Sequence, residues 1–149
     1  NIRIEGDASG VTAAGLTVLG KAVVINQFTR VDNGPVANGN HIEVRAVSDR
    51  NGSLVATRIL VQGASTQAFL QGPVTAADAA AGTLTIVGSA IASDGTTEWR
   101  ASSTSTELPV TKAAFFGQIN ANVTVVKVKW APFASVAAPI KEAEIELGK

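Results

Sequence analysis

Cysteine, methionine and tyrosine are absent from the 149-residue chain, and aromatic residues make up only 5% of it. Without cysteine there is no disulfide scaffold, zinc–thiolate centre, iron–sulfur cluster or thiol nucleophile. Charge is scarce too, because charged residues make up 16% and twelve Lys plus Arg balance twelve Asp plus Glu. A neutral chain lacks the basic surface that drives general nucleic-acid binding, so we expect no nucleic-acid partner.

Long apolar runs are also missing, because the longest span only a few residues. A membrane-spanning helix needs roughly 20 apolar residues, so we expect no membrane span. The hydrophobic fraction is nevertheless 46%, which argues against extended disorder. Val, Ile and Thr are frequent, and these β-branched residues favour strands. Small, uncharged and β-branched residues are typical of exported bacterial β proteins, so we expect an extracellular or cell-surface location.

Short β-rich runs lie between closely spaced turn signals. The turn signals are Asn33-Gly34, Asn38-Gly39, Asn51-Gly52, Ala81-Gly82 and Asp94-Gly95, and such dipeptides supply the positive φ of hairpin turns. Residues 41–47 alternate, with Ile42, Val44 and Ala46 on one face and His41, Glu43 and Arg45 on the other. A turn at 49–52 then leads into residues 54–61, which predicts a hairpin with His41 exposed.

An internal repeat divides the chain. Residues 16–23 match residues 84–91 at an offset of 68, and each copy follows an apolar-Xaa-Gly triplet, at 4–6 and 70–72. Each copy ends in an alternating strand pair. The spacing of strands and turns predicts a barrel or a sandwich, and the repeat predicts an all-β fold of two tandem units, residues 1–65 and 66–149. We expect these units to be small OB-like or Greek-key β-barrels.

The second copy carries the larger insertion. Its Ser/Thr-rich segment 101–107 is predicted to be a loop. Residues 108–116 are predicted to form one short helical turn capped by Thr111, with the phenylalanines 115 and 116 closing the end of the barrel.

These motifs resemble the bacterial domain-of-unknown-function family 5666. Its strand, core, Thr-rich strand and Leu-Phe turn are matched by residues 72–75, 82–91, 96–99 and 108–116, and its last hairpin by 39–44 with 56–59. The resemblance implies tandem small β-barrels in exported bacterial proteins. The family has no established activity, so the resemblance supplies no catalytic residue.

Candidates for chemistry are few. His41 is the only histidine, and a lone histidine without clustered ligands does not make a zinc site. Glu142, Glu144 and Glu146 share one face of the last predicted strand, with Ala143, Ile145 and Leu147 on the other, and a ladder with Lys127 and Lys129 accounts for them. A Ca²⁺ site or a glycosidase carboxylate pair is the alternative. We therefore expect that the protein is not an enzyme and that it has no catalytic residue, no metal and no cofactor.

Aromatic residues bear on ligand binding, because small barrels bind sugars through exposed aromatic side chains. Trp99 and Trp130 continue apolar rows and are predicted to lie in the core. Phe133, between Pro132 and Ala134, is the best candidate for an exposed aromatic contact. An extracellular glycan- or small-ligand-binding module is therefore one possible function.

The leading expectation is a non-catalytic, exported or cell-surface structural protein that assembles into a filament or matrix or binds other surface proteins. Two nearly neutral copies pack without long-range repulsion, and a head-to-tail contact between copies repeats from chain to chain. Residues 2–5 are predicted to form an exposed strand edge, with Ile2 and Ile4 as contact residues.

Overall fold

The computed structural model describes residues 2–102 and 107–147. Within these ranges the chain forms fourteen strands and one short helix, which confirms the all-β prediction. The elements are β1 (Ile2–Asp7), β2 (Ser9–Thr12), β3 (Gly15–Val18), β4 (Lys21–Val24), β5 (Arg30–Asp32), β6 (His41–Ser48), β7 (Leu54–Gln62), β8 (Ala68–Asp78), β9 (Thr83–Ile86), β10 (Ser89–Ile91), β11 (Glu98–Ser102), β12 (Glu107–Pro109), α1 (Lys112–Gly117), β13 (Val125–Trp130) and β14 (Glu142–Glu146). In this part of the chain, no helix has the length and apolar character to cross a bilayer.

Strand pairing in the first half recurs in the second. β1 pairs antiparallel with β6, β6 with β7, and β3 with β4, while β5 runs parallel to β7. In the second half β8 pairs antiparallel with β13, β13 with β14, and β9 with β10, while β11 runs parallel to β14. The predicted hairpin at residues 41–61 is confirmed as β6 and β7, because its alternating residues bury one face of the sheet.

The two halves meet through β1 and β8, which pair antiparallel. Ile4 lies opposite Leu70, its counterpart in the repeat, and an antiparallel pair of equivalent residues is a two-fold contact. The expectation that the contact between the two copies repeats head to tail is therefore wrong. This contact is two-fold, so it is closed and does not repeat along a filament. The expected exposed edge at residues 2–5 is also wrong, because β1 pairs with β6 on one side and β8 on the other.

Tight hairpin turns at equivalent positions connect β3 to β4 and β9 to β10. Leu19 and Val87 have φ of 49° and 48°, and each is followed by a glycine with positive φ, as a two-residue hairpin loop requires. A Cβ on Gly6 would lie 2.8 Å from Leu19 Cδ2, and one on Gly72 2.8 Å from Val87 Cγ2. The glycine of each apolar-Xaa-Gly triplet therefore makes room for the turn residue.

The core contains the predicted tryptophans, since Trp99 and Trp130 are both buried. The helical turn is confirmed as α1, with the Ala114 amide donating to Thr111 Oγ1 over 3.1 Å. It covers residues 112–117, whereas residues 108–109, which were predicted to be part of it, lie in β12. Phe115 from α1 is fully buried, and its ring centroid lies 4.8 Å from that of Trp99. The aromatic side chains of the insertion therefore help to fill the core of the second half.

Two local predictions need correction. Residues 101–102 and 107 lie in β11 and β12, so the Ser/Thr-rich segment is not wholly a loop, and its residues 103–106 lie outside the described ranges. Leu147, expected to face inward, is half-exposed because it follows the end of β14.

Candidate functional site

Two clefts are lined by residues from both halves of the chain. The polar cleft has a volume of about 530 Å³, and its walls include Asp7, Lys21, His41, Gln67, Ser89 and Phe133. The apolar cleft has a volume of about 580 Å³, and its walls include Ile2, Lys21, Val24, Leu54, Pro73 and Val87. Concave sites of this size accommodate small ligands.

The two clefts occupy equivalent places in the repeat. Asp7 and Leu19 line the polar cleft, while their counterparts, Pro73 and Val87, line the apolar cleft. Lys21 lines both, and its own counterpart, Ser89, lines the polar cleft. The two-fold arrangement thus produces two related clefts that differ in polarity.

His41 lies in the wall of the polar cleft and is only 3% exposed, so the predicted exposed position is wrong. Its Nδ1 is 2.9 Å from Asp7 Oδ1 and its Nε2 is 3.6 Å from Glu5 Oε2. Glu5 is buried as well and accepts a hydrogen bond from Gln67 Nε2 over 3.3 Å. The alternating pattern of β6 did not predict this burial, because the neighbouring groups come from other segments. Asp7 and Glu5 lie on β1, and Gln67 lies just before β8.

Lys21 lies at the junction of the two clefts. A Cβ on Gly88 would come within 3.8 Å of its Nζ, so the lysine of one hairpin turn reaches the turn of the other half. Burial lowers the pKa of Lys21. Within residues 2–102 and 107–147, no carboxylate forms an ion pair with it, and the only acidic side chain lining the polar cleft, Asp7, pairs with His41.

The three predicted contact residues lie in different environments. Phe133 lines the polar cleft and is half-buried, and its ring is nearly perpendicular to that of Trp130 at a centroid distance of 5.6 Å. Ile2 is partly buried and lines the apolar cleft. Ile4 is fully buried between β6 and β8, so it has no surface to offer a partner. The sequence did not single out Phe28, which is 80% exposed.

Two short edge strands carry opposite charge. In the described ranges β5 pairs only with β7, and β12 only with β11. β5 and β7 contain two arginines and one aspartate, whereas β11, β12 and β14 contain five glutamates and one arginine. Exposed apolar side chains accompany each edge: Phe28 and Val31 at β5, and Leu108 at β12.

The glutamates at the β12 end form a cluster. Oxygen atoms of Glu107, Glu142 and Glu144 lie within 4.8 Å of one another. Arg100 stands beside them, with its Nε 3.3 Å from Glu107 Oε1 and 3.8 Å from Glu142 Oε1. Carboxylate oxygens are suitable ligands for a hard cation, but here a guanidinium already supplies positive charge.

Burial and mutual repulsion shift the pKa values in this cluster. Burial, followed by a hydrogen bond with Glu107, raises the pKa of Glu142. Burial, followed by repulsion from Glu146, raises the pKa of Glu144 to about 7. The predicted register with lysines is confirmed, since Lys127 lies opposite Glu144 and Lys129 opposite Glu142. The expected simple exposed ladder is wrong, because β11 covers the other side of β14 and Glu144 is buried.

The catalytic candidates are not gathered in one place. His41 lines the polar cleft, whereas neither Glu142 nor Glu144 lines either of the two larger clefts. The polar cleft combines hydroxyl, amide, ammonium and aromatic groups, which are groups that bind a polar ligand. The two edge strands offer backbone and charge to another β protein.

No curated protein and no solved structure matches the chain. Residues 5–59 match the model of a family described as "Domain of unknown function (DUF5666)". This range covers most of the first predicted copy, while the second family copy and the bacterial origin stay predictions. It spans the hairpin of β6 and most of β7 as well as the Gly6 and Leu19 positions that the repeat shares with the second half. Over residues 5–59, less than half of the chain, the sequence is similar to the DUF5666 family.

Proposed function

We propose that the chain is a non-catalytic, exported or cell-surface structural module that associates with further copies of itself. The observation that carries this proposal is the opposite charge of two of the edge strands, β5 and β12. β1 and β8 already pair with each other within the chain, so we assign the association between chains to the β5 and β12 edges. The strand order of each half also suits the small OB-like barrels that the repeat predicts.

The β5 edge is basic and partly apolar. Arg30 is 73% exposed in its side chain, and Val31 and Phe28 are exposed next to it. Asp32 lies between Arg30 and Arg58, at 3.0 and 2.7 Å from their Nε atoms, and neutralises part of this charge. A net positive edge with an exposed aromatic ring remains.

The β12 edge has the complementary character. Glu107 is 40% exposed in its side chain and Leu108 is 55% exposed. Two β5 edges repel each other, and so do two β12 edges, whereas a β5 edge attracts a β12 edge. Because the edges differ, their contact is head-to-tail and open, which builds chains of molecules rather than closed dimers.

Each edge strand is only three residues long, so the contact is small. Stable complexes bury about 1,200 Å² or more, and we expect weak association that depends on concentration and weakens at high salt. Multi-angle light scattering over a concentration series and negative-stain electron microscopy measure it. A monomer at every concentration, with no filaments, refutes the proposal.

Charge reversal tests the assigned edges. Arg30→Glu and Glu107→Arg should each weaken association, because each gives residues 30 and 107, the exposed charged side chains of the two edge strands, the same sign. The double variant, and an equimolar mixture of the two single variants, should recover it. Arg50→Glu reverses an exposed arginine in the β6–β7 turn and is the matched control. Association that survives both single reversals places the contact elsewhere and overturns this assignment.

A second candidate function is glycan or small-ligand binding in the polar cleft. The observation that favours it is the position of Phe133 in a cleft with hydroxyl, amide and charged groups. A glycan array followed by calorimetry tests it. Phe133→Ala should abolish binding, while Phe28→Ala, at an exposed aromatic residue outside both clefts, should leave it intact. A silent array argues against this function.

A further inference from the structure

We infer that the polar cleft binds an acidic carbohydrate, with a sugar ring against Phe133 and the carboxylate on Lys21. The inference rests on the second candidate function and specifies the chemical class of its ligand. Three observations carry it: an uncompensated ammonium group, the polar walls of one cleft, and the contrasting walls of its two-fold counterpart.

The ammonium group of Lys21 lacks a carboxylate partner within the described ranges. Partial burial has removed water from it, and this loss is the cause of its lowered pKa. A ligand carboxylate at this point restores the lost interaction through a charge-assisted hydrogen bond. A neutral sugar does not, so the cleft should discriminate by charge.

The walls of the polar cleft suit hydroxyl groups. Ser9, Ser65, Ser89 and Ser135 line it, each able to donate and accept. Gln67 contributes an amide, although its Nε2 already donates to Glu5. The Asp7 carboxylate lies 2.9 Å from His41 Nδ1, and it forms no ion pair with Lys21 within the described ranges.

The apolar cleft supplies an internal comparison. It shares Lys21 but is lined by Ile2, Pro73 and Val87 where its counterpart has Ala68, Asp7 and Leu19. Its walls hold fewer groups that pair with sugar hydroxyls, and it lacks an aromatic ring. The carbohydrate is therefore assigned to the polar cleft, where Phe133 covers the ring face.

Calorimetry with uronate oligosaccharides and with neutral oligosaccharides of the same linkage tests this inference. Galacturonate and glucuronate oligomers are compared with galactose and glucose oligomers, which differ by a carboxylate in place of a hydroxymethyl group. We expect the acidic oligomers to bind at least about tenfold more tightly, and Lys21→Gln to remove that preference. Lys141→Gln, at an exposed lysine outside both clefts, is the control and should bind as the native chain does.

The possible outcomes separate the two claims. If neutral and acidic oligomers bind equally, and Lys21→Gln changes neither, the acidic preference is wrong while glycan binding stands. If no oligosaccharide binds, both claims fail. If inorganic sulfate binds through Lys21 while no oligosaccharide does, the cleft binds anions in general and the carbohydrate assignment is wrong. Circular dichroism of each variant confirms that a loss of binding does not reflect a loss of fold.

Discussion

Replacing Glu144 by glutamine should remove a pH-dependent penalty from the folded state. Glu144 is buried in β14 between Arg100 of β11 and Lys127 of β13. Neither cationic side chain forms an ion pair with Glu144. Arg100 pairs with Glu107, and Lys127 Nζ lies 3.9 Å from Glu146 Oε1. The carboxylate is therefore desolvated without a close cation, and the folded chain favours its protonated form.

The sign follows from the raised pKa of Glu144, about 7 against an ordinary value of 4.5. The contribution of Glu144 to the free energy of unfolding is highest below pH 4.5, falls as the pH rises from there, and reaches its lower level above about 7. At about 1.4 kcal/mol per pH unit the fall is at most about 3 kcal/mol. Because the neighbouring Glu142 and Glu146 on the same strand are only partly buried, solvent screening reduces this, and we expect about 1–2 kcal/mol.

Urea unfolding of the native chain and of Glu144→Gln, from about pH 4.5 to about pH 8, measures the difference. The two should be equally stable at the acidic end, and the variant should be more stable at the basic end. Glu142, whose pKa is also raised, is present in both proteins, so the comparison isolates Glu144. Glu98→Gln, at a half-exposed carboxylate on β11, is the matched control and should follow the native curve. A difference that does not change with pH refutes the reasoning.

Two further substitutions test the packing. Gly72→Ala should lower the free energy of unfolding by about 1–3 kcal/mol, because the added Cβ would lie 2.8 Å from Val87 Cγ2. Gly95→Ala is the control and should cost far less, because a Cβ there meets nothing within 4 Å. Equal effects of the two substitutions in chemical denaturation would contradict the close approach. Phe115→Ala should cost about 3–5 kcal/mol and change the fluorescence of Trp99, since the buried ring lies 4.8 Å from the indole; an unchanged melting temperature and spectrum would place Phe115 outside the core.

Local patterns in the sequence predicted the elements that depend on neighbouring residues. The alternation around Val44 gave the hairpin, and Thr111 marked the start of the helix, because both signals act over a few residues. The turn at Leu19 was missed because leucine is not a turn-forming residue, and its positive φ depends on space provided by distant Gly6.

The candidate site was harder to predict, because its chemistry depends on pairing between distant segments. His41 reads as exposed within β6, and only the carboxylate of Glu5 and the approach of β8 make it buried. Glu144 reads as part of a two-stranded ladder, and only the parallel pairing of β11 removes water from it. Phe133 was found from its position in a loop between Pro132 and Ala134, but its cleft is formed by both halves.

The two-fold contact between the halves has a consequence for how its clefts can change. In a dimer of two identical chains, every substitution appears twice, so both clefts must keep the same residues. Here the counterparts are encoded separately, and Asp7 stands in one cleft where Pro73 stands in the other. Joining the copies in one chain therefore frees each cleft to specialise, while the pairing of Ile4 with Leu70 keeps the shared frame.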